Sequence, residues 1–299
     1  MKLFTAGFGL LLGSLVATAQ AQDGPPARKW GMQVDALGSY QGKADLSGGG
    51  SFTADREFLR IGGRYVFDEG ASAGVSVSTG RLNYDFDTPG QDPWSGINDV
   101  RVSVPISFGI GDTTRVIIAP SVRWDYQDGA SSSDGYTWGA FGGVSWRVNE
   151  RLRIGPAIGA FTQIEDSQLE VFPALLIDWS ITDRLSLSTL RAAGATQGPG
   201  VTLSYALSDA FSLSLASRYE NIRFRLDDQG TAPGGVGQDR SIPVVLSLDW
   251  EPRPYFAASV FAGAEFNGQV QLEDNSGNTL SEQDYDTAPV TGFAFRLRF

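Results

Sequence analysis

Apolar and polar residues alternate strictly through most of the chain, in stretches of about ten to fifteen residues separated by Gly, Asp, Asn, Ser and Pro. In "NDVRVSVPISFGI" (98–110) Val100, Val102, Val104, Ile106, Phe108 and Ile110 fall on one face. Asp99, Arg101, Ser103, Ser107 and Gly109 fall on the other. A period of two is that of a β-strand, and helical periodicity is nearly absent after residue 22. About fourteen such segments follow Lys29, at roughly 20 residues per strand and connection. The count falls to twelve if the hairpin through "RLSLSTLRAAGATQGPG", which loses its alternation after Leu187, is irregular.

Alternation alone does not separate a soluble sandwich from a membrane barrel. The connections do. "DEG", "GDT", "VNE", "TDR", "SDA" and "EPRP" are short, and they alternate with long polar loops such as "DTPGQDPWSG" and "EDNSGNTLSEQDYD". Aromatic residues gather at both ends of the apolar face. Trp30, Phe67, Phe108, Trp146, Trp179, Phe211, Trp250, Phe256 and Phe299 lie toward the short turns. Tyr84, Trp124, Tyr126, Tyr136, Trp138, Tyr219 and Phe266 lie toward the long loops. Two aromatic girdles, short periplasmic turns and longer extracellular loops predict an all-β fold: one closed, antiparallel, up-and-down transmembrane β-barrel of about 14 strands. Pro105, Pro120, Pro156, Pro173, Pro243 and Pro289 sit inside these strands, and each is expected to mark a bulge or a locally unpaired position.

Composition narrows the setting. Residues 1–21 carry Lys2, an apolar run from Leu3 to Val16 and the A-x-A site Ala19–Ala21, the pattern of a secretory signal peptide, leaving 22–299 as a single barrel domain. No later run of about 18 apolar residues could cross a bilayer as a helix. The net charge of -11 argues against nucleic-acid partners. The chain has no Cys and no His, which removes disulfides, thiolate nucleophiles, imidazole bases and the usual metal ligands. No enzyme activity, cofactor or metal is expected. The adjacent acids Glu165 and Asp166 read as solvated loop residues, and "GGVGQD" has no helix after it to make a phosphate-binding turn.

What remains is the polar face. Arginine outnumbers lysine 20 to 3. Arg64, Arg115, Arg147, Arg153, Arg296 and Arg298 are placed near the periplasmic mouth, and Arg60, Arg101, Arg123 and Arg218 higher up. Asp99, Asp125, Glu170, Asp178 and Glu265 share that face, with Glu220 and Asp249. Fixed charges lining a watery lumen set ion preference, whereas opposite charges paired across it brace or plug the barrel. Gly and Ser between them favour a partly open lumen. The expected function is passive, porin-like passage of small hydrophilic solutes. The alternative is a non-conducting structural barrel whose acidic loops contact divalent cations or lipopolysaccharide.

On these features the chain resembles Gram-negative outer-membrane β-barrels, similar in size to monomeric fourteen-stranded porins. Through "WSGINDVRV", "GPAIGAFTQIED", "LLIDWSITDRLSL", "LSYALSD" and "RFRLDD" it also resembles a family of proteobacterial outer-membrane barrels without an assigned activity. Phe293, Phe295, Leu297 and Phe299 match the C-terminal assembly signal of such barrels. The resemblance implies integral residence in the cell outer membrane as a monomer. Its implied partners are outer-membrane lipids, lipopolysaccharide and, during biogenesis, the barrel-assembly machinery.

Overall fold

A computed structural model describes residues 29–67, 70–90, 92–164, 169–189 and 199–299. The signal segment 1–21, Glu165 and Asp166 lie outside them. Fourteen strands run in chain order. They are β1 (Trp30–Asp45), β2 (Ser51–Val66), β3 (Ser72–Asp87), β4 in two segments (Ile97–Ser103 and Ile106–Ile110), β5 (Thr114–Gln127), β6 (Tyr136–Asn149) and β7 (Leu152–Thr162). The second half comprises β8 (Leu169–Ser180), β9 (Leu185–Ser188), β10 (Gly200–Ala206), β11 in two segments (Phe211–Arg218 and Glu220–Arg225), β12 (Val236–Arg253), β13 (Phe256–Glu273) and β14 in two segments (Thr279–Tyr285 and Ala288–Arg298). Each strand pairs antiparallel with the next. β14 returns to β1 over nine residue pairs, from Gln33 opposite Arg298 to Gln41 opposite Val290, so the sheet closes on itself.

The alternation persists along the long strands, but its meaning inverts partway up. In β2 the outward residues from Leu59 through Ile61 and Tyr65 to Phe67 are apolar, whereas Thr53, Asp55 and Glu57 above them are polar. The inward residues do the reverse. Phe52, Ala54 and Phe58 are buried inside, and Arg60 and Arg64 lie below. β3 repeats the switch, with Val75 and Val77 facing out below and Leu82, Tyr84 and Phe86 packed inside above. Apolar-out is the rule in lipid and apolar-in the rule in water. The nine residues from Leu59 to Phe67 match one bilayer crossing. The upper turns of β1–β5 and β11–β14 therefore rise beyond the membrane as a cap with a core of its own.

That core holds Phe52, Phe86, Trp94, Ile97, Ile222, Phe224, Leu272 and Tyr285 among others. Its rings meet edge to face: Phe52 with Tyr285 at 5.0 Å, and Trp94 with Phe224 at 5.2 Å. Trp94 comes from the β3–β4 loop and turns its ring inward. The upper segment of β11 leaves β10 and crosses the interior to β5, where Arg225 makes a parallel bridge to Tyr126. This crossing closes the cap into a smaller ring standing on part of the wider barrel.

The structure corrects two expectations. Tyr84 is not a girdle residue; it points inward, because the β3 pattern inverts above the bilayer. Pro173 sits within an unbroken register opposite Ile158, whereas Pro120 and Pro156 are each locally unpaired on one side, Pro120 at the break in β4 and Pro156 in the β6–β7 gap between the pairs Gly143–Ala157 and Trp146–Ile154. Pro173 forgoes one donor while its neighbours hold the pairing. Pro105 does split β4, and register shifts or breaks lie close to Pro243 and Pro289.

Candidate functional site

The membrane-spanning part of the interior is a vestibule of about 1840 Å³, lined by inward residues of the lower strand halves. Small hydroxyls cover much of its wall because many of its inward positions are Ser or Thr. Ser186, Ser204 and Ser214 form one row across β9, β10 and β11, and the Ser204 and Ser214 hydroxyls are 2.9 Å apart. Ser76 and Ser103 meet at 2.9 Å on the β3–β4 side.

Arg60, Arg64, Arg101, Arg115, Arg147, Arg153, Arg218, Arg296, Arg298 and Asp178 line this vestibule. Some are tied down. The Asp35 carboxylate accepts from Arg60 Nε at 2.9 Å and from Arg296 Nε at 2.7 Å, and Arg298 reaches Glu251 at 3.2 Å. Arg64 on β2, Arg115 on β5, Arg147 on β6 and Arg153 on β7 gather near the mouth: Arg115 feels the charge of Arg64, and Arg153 that of Arg147 and Arg115. Arg153 donates to the carbonyls of Thr113 at 3.0 Å and Ser145 at 3.2 Å, with Asp178 opposite it on β8. The described lining holds eleven arginines and seven acids, a basic excess inside a chain of net charge -11.

Asp99, Asp125, Arg123, Glu170 and Glu265 lie elsewhere. Arg123 donates to Asp99 at 3.0 Å and also engages Asp125, all three being buried. Glu170 accepts from Gln163. Glu265 belongs to the floor of the cap, where Arg56 donates to it at 2.5 Å, to Gln41 at 2.9 Å and to Asp239 at 3.3 Å. Asp239 also accepts from the hydroxyls of Tyr84 at 2.9 Å and Tyr285 at 3.0 Å. Hydrogen bonds and opposite charges of this kind offset part of the cost of burying charge. Sequence reasoning missed Arg56, Asp35 and Asp239. Parity was the signal for Arg56, which stands on β2 four residues before Arg60 and faces the same way.

The vestibule thus opens at the short-turn end and is roofed over β1–β5 and β11–β14 by ion pairs and the apolar cap. Phe293, Phe295, Leu297 and Phe299 face outward on the lipid side.

Comparison with solved structures agrees with this geometry. An outer-membrane channel from Pseudomonas putida F1 superposes with a TM-score of 0.50 at 8% identity, over 93% of this chain and 100% of that one. The fold is that of an outer-membrane β-barrel. A FadL homologue from Pseudomonas aeruginosa (TM-score 0.45, 13% identity, 91% of this chain and 90% of that one) and the NanC porin (0.38, 12%, 88% and 98%) are also similar. No family model matches the sequence and no curated protein matches it. The apolar outer belt makes this barrel integral to the membrane, with its short turns toward the periplasm.

Proposed function

We propose that the barrel passes small hydrophilic solutes across the outer membrane with a preference for anions, and that the cap sets how often it is open. The observation that carries this reading is the inverted charge of the vestibule: eleven arginines against seven acids in a chain of net charge -11. Charge fixed on the wall of a narrow watery space attracts counter-ions and excludes co-ions over a Debye length of about 8 Å at physiological salt. The hydroxyl-rich wall supplies replacement hydrogen bonds to a solute that sheds water. The channel named in the structural likeness is in keeping with this role.

The roof favours a second reading. Arg56, Glu265 and Asp239 are each at most 3% exposed, and the apolar cluster lies above them, so the resting barrel is shut over much of its width. A purely structural barrel would keep that closure permanently. Single-channel recording of the refolded protein in planar bilayers separates the two. Passage gives brief, small conductance steps; a folded barrel that stays silent under all applied voltages is the structural one.

A further inference from the structure

We infer that the inner end of the vestibule is a binding site for small monocarboxylates with an apolar body, held by Arg218. This rests on the anion-passing role and names the class of solute that the site would select. Arg218 is the last residue of the lower segment of β11, at the point where that strand leaves β10. Its side chain lines the vestibule and is 6% exposed. Among the described residues no acceptor reaches its Nε or Nη1. A guanidinium carries five donors and keeps its charge, so one that is buried with two nitrogens unmatched is poised for an anion.

The surroundings limit what that anion can be. Glu220, two residues on, offsets part of the charge through space and lies 3.9 Å from Arg56. A monoanion is therefore favoured over a dianion. Gly200 stands directly opposite Arg218 on β10, so its immediate partner in the sheet presents no side chain to it. Asp178, Ser188, Thr202 and Ala216 form one row across β8–β11, and Leu176 on β8 and Arg218 on β11 each lie two residues beyond it, away from the short turns. Leu176 packs with Phe141 and Phe172, and all three line the vestibule. A cation on one side and an apolar wall on the other match a carboxylate carrying an aromatic or short alkyl body.

The test is ¹⁹F NMR titration of the refolded barrel in detergent with 4-fluorobenzoate, with 4-fluorobenzyl alcohol as the uncharged control. The expected result is saturable binding of the acid, at least tenfold weaker in Arg218→Met, partly kept in Arg218→Lys, and no saturable binding of the alcohol. Unsaturable behaviour of the acid, equal saturation by the alcohol, or unchanged affinity in folded Arg218→Met would overturn the site. The native protein with acid and alcohol decides the matter even if the variants do not fold. Conductance measured on the same preparation keeps the two readings apart. A barrel that binds the acid but never conducts contradicts passage alone, and one that conducts without saturable binding contradicts this site alone.

Discussion

Arg56 donates to Glu265 at 2.5 Å across the barrel interior, joining β2 to β13, which the wall separates by β1 and β14. Gln41 and Asp239 accept further bonds from the same guanidinium. Replacing Arg56 by Leu removes the cation that faces three buried acids, Glu265, Asp239 and Glu220. The expected cost is about 3–5 kcal/mol, read from urea unfolding in detergent micelles. Arg56→Leu combined with Glu265→Leu, Asp239→Asn and Glu220→Gln should recover a large part of it. Equal stability of Arg56→Leu and the native protein would show that the roof is not held by this charge.

Arg225 clasps three loops at the extracellular end. Its nitrogens donate to the carbonyls of Asp134 at 3.0 Å, Gly234 at 2.7 Å and Ile164 at 2.9 Å. Arg225→Ala removes the clasp without touching the vestibule. The variant should fold, lose about 1–3 kcal/mol and show longer and more frequent open events in single-channel records. Open times equal to those of the native barrel would place the gate elsewhere.

The cap core gives an independent handle. Phe52 is 1% exposed and sits among Tyr84, Phe86 and Tyr285. Phe52→Ala should cost about 3–5 kcal/mol and raise conductance, because the cavity it leaves lies directly in the roof. A stability loss with no change in conductance would mean that the cap and the conducting path are separate.

Acid should loosen the cap's outer surface late. Arg81 grips Asp128 with both terminal nitrogens, and Asn98 adds a bond at 2.9 Å. Led by the Arg81 hydrogen bond, these contacts hold the Asp128 carboxyl below its ordinary value. A depressed folded value means that the stabilisation is fully present above the unfolded value of about 3.9 and is lost as pH falls through the folded one. The pair is largely exposed, so its worth is under about 1 kcal/mol. The melting difference between native protein and Asp128→Asn should be present at neutral pH and fade as pH falls below the ordinary carboxylate range. A difference that persists in acid would assign it to packing.

The wall of this barrel was legible from period-two alternation, because lipid outside and water inside impose opposite polarity on adjacent residues. The cap was not. Leu82, Tyr84 and Phe86 keep the same period as Val75 and Val77, and only their parity has shifted, so the alternation alone assigned Tyr84 to a girdle. Parity counted through each strand places Arg56 inside, yet no sequence pattern pairs it with Glu265, 209 positions away. The crossing of β11 to β5 was equally hidden, because a single bridge at Tyr126 and Arg225 leaves no periodic trace. The Arg-rich lower lumen was read from residue type and face, and what the structure adds is the division between arginines paired with Asp35, such as Arg60, and the cluster of Arg64, Arg115, Arg147 and Arg153 near the mouth.

The most direct test of the central claim is the zero-current potential of the refolded barrel in a planar bilayer across a tenfold KCl gradient. A potential of the sign set by chloride is predicted, moving toward the potassium side when Arg115 and Arg153 are both changed to Glu. A potassium-signed potential in the native barrel, or one unmoved by the double charge reversal, would contradict the account.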